Sequence, residues 1–310
     1  MNEGFCVAGS INVDLIARAP RFPLPGETIT GSSFALLPGG KGANQAVALA
    51  RLGGQVEMIG SIGDDALGRQ YGDTLSSLGV GRSGVSVLSG ISTGTASITV
   101  TDSGENEIIV VPGANAQVTP EYVRKNAALI EGAAFLLLQL EIPLESVMEA
   151  ALIADRSGAR VILDPAPACP LPGALFNLID ILTPNETEAQ VLTGEDTRDE
   201  SGIRRAGEAL LARGVRTVIV KAGARGAYLL EKDVFYRVEG FAVRVVDTVA
   251  AGDSFNAGLA FALSLGYEIR KAIRFANAVG AISTTKEGAQ AAMPTRAELD
   301  AFLAEAGHAL

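Results

Sequence analysis

Short apolar runs alternate with amphipathic stretches along most of the chain. Residues 5–8, 56–60, 135–139, 161–164, 179–183 and 217–221 are mostly apolar and bounded by polar or turn-forming residues, the pattern of strands buried on both faces. Between them, residues 44–52, 144–155 and 201–213 carry apolar side chains at helical spacing. Repeated strand-then-helix order predicts a mainly parallel sheet covered by helices on both faces, an α/β architecture. Ligands of such sheets collect beyond the carboxyl ends of the strands, so the loops that follow strands are where chemistry is expected.

Two stretches break this rhythm. Residues 14–37 are rich in Pro, Gly and Thr and lack helical spacing, and residues 93–111 alternate around Asp102-Ser103-Gly104-Glu105, a hairpin-turn pattern. Both predict strands outside the main sheet, either as a small lid over its carboxyl edge or simply as edge hairpins. No linker or long repeat is visible, so residues 1–310 read as a single domain with lid strands at about 14–37 and 93–111.

Composition narrows the chemistry. With 310 residues, 48% of them apolar, the chain can bury a large core. A formal net charge of −10 argues against a nucleic-acid partner, because an acidic surface gains nothing from counterion release. The apolar run 133–138 is far short of the roughly 20 residues a membrane helix needs. The opening MNEGFCVAGSINVD has no signal-peptide pattern, and a cytoplasmic protein is expected. Cys6 and Cys169 are the only cysteines, which supports neither a disulfide framework nor a zinc site. Cys6 reads as a small buried hydrophobe. The one histidine, His308, sits near the C-terminus, so acid–base chemistry is expected from carboxylates or lysines.

Four motifs carry candidate chemistry. In VDTVAAGDSFNAGLAFALSLG, residues 246–266, the small residues Ala250, Ala251 and Gly252 precede a helix pattern running from about residue 253 to 265. Free N–H groups at such a helix start make an anion site, suited to the charge on a transferring phosphoryl group. Asp253 beside it is either the base that takes a proton from an attacking hydroxyl or a first-turn capping residue. At an ordinary carboxylate pKa of about 3.9 it would already be ionised. In LPGGKGANQAVALARLGG, residues 37–54, glycines with Lys41 and Asn44 suit close approach to a polyhydroxylated ligand, without P-loop or GxGxxG spacing. In ILTPNETEAQVLTG, residues 181–194, Asn185 and Glu188 face the same way on a first helical turn. They suit a hydrated Mg²⁺ or a plain N-cap. In IVKAGARGAYLL, residues 219–230, a strand enters a glycine-containing turn that could hold a nucleotide.

Together these residues resemble the ribokinase family, the B-type phosphofructokinase-like carbohydrate kinases, from about residue 9 to residue 294. GSINVD at 9–14, GGKGANQA at 39–46 and DTVAAGDSFNAG at 247–258 match its motifs in order, and QLEIPLESV, LDPAPA, TPNETEA and KEGAQ resemble its ribokinase branch. The resemblance implies a three-layer α/β/α fold with a small β-sheet lid, and transfer of the ATP γ-phosphate to the 5-hydroxyl of D-ribose. It implies that Asn12, Asp14, Gly40, Lys41, Asn44 and Glu141 bind the sugar, with Asp253 taking the proton and Ala250, Ala251, Gly252 and Asp253 forming the anion hole. Lys221, Gly223, Gly226 and Asn277 would hold ATP, with Asn185 and Glu188 organising Mg²⁺ through water. A monovalent cation, usually K⁺, would sit on oxygens of Asp247, Val249, Ser283, Lys286 and Gly288, although Ala292 stands where the family commonly has a serine. A homodimer through the lid is also implied. Another sugar or a nucleoside as acceptor, and a sugar-binding regulator without catalysis, are the alternatives.

Overall fold

The computed structural model describes residues 4–306. In chain order the strands are β1 (Phe5–Ala8), β2 (Asn12–Ala19), β3 (Ser33–Gly39), β4 (Val56–Gly63), β5 (Gly81–Leu88), β6 (Gly94–Thr101) and β7 (Asn106–Val111). They continue as β8 (Phe135–Leu138), β9 (Arg160–Leu163), β10 (Ile181–Leu182), β11 (Thr217–Lys221), β12 (Ala227–Glu231) and β13 (Val234–Val238). Nine of them form one sheet in the order β13-β12-β11-β10-β9-β8-β1-β4-β5. Pairing is parallel from β5 through to β11, while β12 and β13 add an antiparallel edge.

Side-chain alternation splits each central strand between two cores. Phe5 and Val7 of β1 pack with Leu137 and with the helices Lys41–Arg51, Ala251–Ser264 and Ile269–Ser283. Cys6 and Ala8 pack with Leu136, Leu138 and the helices Leu144–Ser157 and Glu200–Leu211 on the other side. A period of two along a strand buried on both faces dictates this separation, and it produces the expected three layers.

The sheet order grows outward from β1 in both directions, with β4 on one side and β8 on the other. A crevice opens where the winding reverses, beyond the carboxyl ends of these strands. Gly9 and Ser10 follow β1, Gln139 follows β8, Asp164 follows β9, and Lys221 ends β11. A separate four-stranded sheet, β3-β2-β6-β7, uses both segments that lacked helical rhythm. The β6–β7 hairpin turns through residues 102–105, closed by the Thr101 N–H donating to the Glu105 carbonyl at 2.9 Å.

Candidate active site

Two helices meet at the crevice. Lys41–Arg51 starts directly after β3, three residues before the position expected from periodicity, because Gly40 turns the chain at φ 86°. A Cβ there would lie 2.6 Å from the Asn12 nitrogen, so only glycine fits this approach of β3 to β2. The second helix, Ala251–Ser264, also begins earlier than its pattern suggested. Its N-cap, Ala250, holds a left-handed conformation at φ 59° and offers no side-chain cap. Such strain at a non-glycine residue costs on the order of 1–3 kcal/mol and gathers at functional sites.

Of the four residues expected to form the anion hole, Ala251 has an N–H that already meets a backbone acceptor, the Thr248 carbonyl at 3.3 Å. Ser254 N–H reaches the Ala250 carbonyl at 2.9 Å. Among the described residues the amides of Gly252 and Asp253 meet no acceptor. They are left to face the crevice, with Lys221 close enough that a Cβ on Gly252 would sit 3.3 Å from its ammonium nitrogen.

Asp253 is no ordinary capping residue. It is 5% exposed. Asn44 Nδ2 donates to its Oδ2 at 3.0 Å and Gln45 Nε2 to its Oδ1 at 3.1 Å. Burial pushes its carboxyl up to about 6, with Lys41 pulling down and Asp164 pushing up. The ordinary aspartate value expected from sequence is therefore corrected upward, and at about pH 7, one unit above the shifted value, about nine-tenths of the groups remain ionised. Burial also lifts Asp14 to about 7, reinforced by Glu141 and then Asp253. For Lys41 burial works against the charge, yet Asp253, Asp164, Glu141 and Glu188 together raise it overall.

A cavity of about 780 Å³ is lined by Lys41 and Asp253 together with Asp164, Asn185, Glu188, Lys221, Gly223, Gly226 and Asn277. The expected nucleotide residues thus line one space. Asn12, Asp14, Gly40, Asn44 and Glu141 are not among its lining residues; Asn12 and Asp14 lie on lid strand β2, Asn44 bonds Asp253, and Glu141 bonds the Lys41 amide. Glu141 Oε2 accepts from Ser10 Oγ at 2.5 Å and from Lys41 N–H at 3.0 Å. Asn12 Oδ1 accepts from Asn115 Nδ2 at 2.7 Å. Asn277 Nδ2 donates to the Val238 and Glu239 carbonyls, both at 3.1 Å.

Asn185 and Glu188 form a reciprocal capping box, so the plain N-cap reading holds alongside the cavity position. Glu188 is raised foremost by burial, opposed by Lys221. Asp247 spans two loops, accepting from Val249 N–H and Gly288 N–H, both at 3.0 Å. Among the described residues no donor reaches the carbonyl oxygens of Asp247, Val249, Ser283, Lys286 or Gly288. The Lys286 side chain points elsewhere, pairing with Glu298 at 2.6 Å, and the Ala292 methyl is fully buried. His308 lies outside the described residues.

Sequence reasoning missed Gln45, Gln139, Asp164, Tyr71 and Gln290. Asp164 binds Lys221 Nζ at 2.7 Å in a pair with side chains 3% and 12% exposed. Its signal was available, since it closes a strand in LDPAPA, and Gln45 lies inside GGKGANQA.

The match with known proteins follows this geometry. The chain is 43% identical over 306 residues to a ribokinase of Haemophilus influenzae, covering 99% of this chain and 100% of that one. It is 34% identical over 298 residues to a deoxyribokinase of Salmonella typhi, covering 96% and 97% respectively. Among solved structures, an Arabidopsis thaliana ribokinase complexed with ribose and ATP matches with TM-score 0.93 at 35% identity, covering 98% of this chain and 99% of that chain. A family model described as "pfkB family carbohydrate kinase" matches residues 2–296, and the chain belongs to that family of carbohydrate kinases.

Proposed function

We propose that this kinase transfers the γ-phosphoryl group of ATP to the 5-hydroxyl of D-ribose, with Asp253 accepting the hydroxyl proton. The observation that carries the reading is the placement of Asp253: buried in the wall of the cavity, on the helix whose Gly252 and Asp253 amides are free, and held by two amide side chains. A phosphoryl group in transit carries charge on its oxygens, and the Gly252 and Asp253 N–H groups would stabilise it there. Asp14 and Glu141 would accept bonds from sugar hydroxyls, joined by Asn12, Gly40, Lys41 and Asn44. The carboxylate-rich surroundings favour a neutral, hydroxyl-rich ligand that donates hydrogen bonds.

ATP would lie along the cavity, with Lys221, Gly223 and Gly226 near its phosphates and Asn277 near the adenine. The Asn185–Glu188 pair fits Mg²⁺ bound through water, because each Glu188 oxygen accepts a single bond from Asn185 and keeps a lone pair. Mg²⁺ would supply charge neutralisation on the phosphates. The uncommitted carbonyls of Asp247, Val249, Ser283, Lys286 and Gly288 fit a monovalent cation such as K⁺, with no hydroxyl from Ala292. Phe34, Leu36, Ile108 and Ile109 on the lid are exposed, which supports a homodimer through that sheet. Unpaired Cys6 and Cys169 support a cytoplasmic location, and the lid and main sheet would act as a single domain.

ADP release across pentoses, hexoses and nucleosides, with Mg²⁺ and with or without K⁺, tests this. Ribose should be the best acceptor, with phosphate on its 5-oxygen. The similarity to a deoxyribokinase favours deoxyribose as the alternative acceptor, and a preference for it would replace ribose. Sugar binding without ADP release from any acceptor would refute the reading.

A further inference from the structure

A chain of buried hydrogen bonds reaches Asp253 from outside the cavity. The Gly39 carbonyl, at the end of β3, can only accept, so Tyr71 OH donates to it at 2.6 Å. With its one proton committed, the Tyr71 oxygen accepts from Gln290 Nε2 at 2.5 Å. The second proton of that nitrogen goes to Asn44 Oδ1 at 3.1 Å, and Asn44 Nδ2 faces Asp253 Oδ2 at 3.0 Å. Tyr71 is 2%, Gln290 5% and Asn44 6% exposed. We infer that Tyr71 and Gln290 are positioning residues of the phosphoryl transfer, fixing which end of the Asn44 amide meets the base.

The polarity is forced at both ends. Reversing the Gln290 amide would set its oxygen against two oxygens, those of Tyr71 and Asn44. The cost of the observed arrangement is visible: Gln290 Oε1 is buried without a partner. A parallel arm serves the other carboxylate oxygen. Gln139 Nε2 donates to Gln45 Oε1 at 2.7 Å, leaving Gln139 Oε1 buried and unpartnered. That arm has no equivalent of Tyr71 to hold its far end. Two orphaned carbonyl oxygens are tolerated so that two amides present N–H groups to one carboxylate.

The consequence is chemical and rests on Asp253 being the base. Around it stand Lys41 on its own neighbouring helix, Asp14 on β2, Asp164 after β9 with Lys221 bound to it, and the Tyr71 hydroxyl. Two of the nearby groups are carboxylates that oppose ionisation, and the amide donors act with the Lys41 ammonium to favour it. A turned Asn44 would point its carbonyl oxygen at the carboxylate and favour the protonated, inactive acid.

The test compares Tyr71→Phe, Gln290→Leu, Gln290→Glu and Asp253→Asn in the full chain. The readouts are thermal unfolding, both KM values, and kcat from about pH 5 to about pH 9. In Gln290→Leu the acid limb of kcat should move up by about one pH unit, the value of one charge-assisted hydrogen bond. Tyr71→Phe should move it by less, and Gln290→Glu, which accepts from Asn44 and turns it, by at least as much. The ATP KM should stay unchanged in all three. If Gln290→Leu does not fold, Tyr71→Phe, which loses one oxygen, decides. An unmoved acid limb in the folded variants, or an equal loss at every pH with a lowered melting temperature, would overturn the inference. Full turnover by Asp253→Asn would instead remove the base on which it rests.

Discussion

Helix Lys41–Arg51 carries both amides that hold Asp253, and one glycine contact sets its distance from β1. A Cβ added at Gly42 would lie 2.6 Å from the Gly9 carbonyl carbon and 2.7 Å from both Gly9 Cα and Ser10 N. Those neighbours are backbone and cannot rotate aside. Ordinary carbon contacts sit at about 3.5–4.0 Å, so Gly42→Ala must lift the helix by about 1 Å. Strain of this kind costs about 1–3 kcal/mol, or a melting temperature lowered by about 2–6 °C in a chain of this size. The Asn44 and Gln45 bonds to Asp253, at 3.0 and 3.1 Å, have little length to spare. A shift of about 1 Å at a reacting group costs about a hundredfold, so kcat/KM for the sugar should fall by about that factor. The ATP KM should change little, because most of the cavity wall lies on other elements. Calorimetry and a coupled ADP assay measure both effects. A Gly42→Ala protein of wild-type stability and sugar efficiency would refute the argument that this contact places the base.

Three further outcomes are expected. Lys221→Met strands the buried Asp164 carboxylate and should cost about 3–5 kcal/mol, with much of it recovered in the Lys221→Met/Asp164→Leu double variant; additive losses in the double variant would contradict this. Asp14 rises to about 7 in the folded chain, above the roughly 3.9 of an unfolded aspartate, so the folded state holds the proton more tightly and stability falls as pH climbs across that window. Asp14→Asn should flatten the dependence of melting temperature on pH there and raise the sugar KM, and an unchanged slope would count against the assignment. Ile109, 68% exposed on β7, should be a dimer contact; Ile109→Glu should sediment as a monomer, and a persistent dimer would place the interface elsewhere.

Local pattern was enough for much of the fold. β1 and β11 lie where four- and five-residue apolar runs predict them, because strands buried on both faces admit almost nothing else. Predicted strand 179–183 shortens to the two residues Ile181–Leu182, although backbone bonds from Asp180 to Val161 and Thr217, and from Thr183 to Leu163, continue the pairing on either side. β5 was not legible at all: Gly81–Leu88, at a sheet edge, mixes exposed, half-buried and buried positions with no period of two. In the site, motif residues were visible but their partners were not. Asp253 meets Gln45 across 208 positions and Asn44 meets Gln290 across 246. Neither periodicity nor spacing encodes contacts that only the assembled sheet brings about. The upward shift of Asp253 was invisible for the same reason, as burial is a property of the fold.

Whether Asp253 strips the acceptor hydroxyl is decided by single-turnover phosphoryl transfer in Asp253→Asn, with ATP affinity measured in parallel. The amide keeps the size of the side chain while removing the base, and its single oxygen still accepts from one of the two donors, Asn44 Nδ2 or Gln45 Nε2. Transfer should slow by about 10²–10⁴-fold with ATP affinity retained, and the wild-type acid limb near about 6 should disappear with it. Transfer at the wild-type rate in a folded, ATP-binding Asp253→Asn protein would contradict the mechanism.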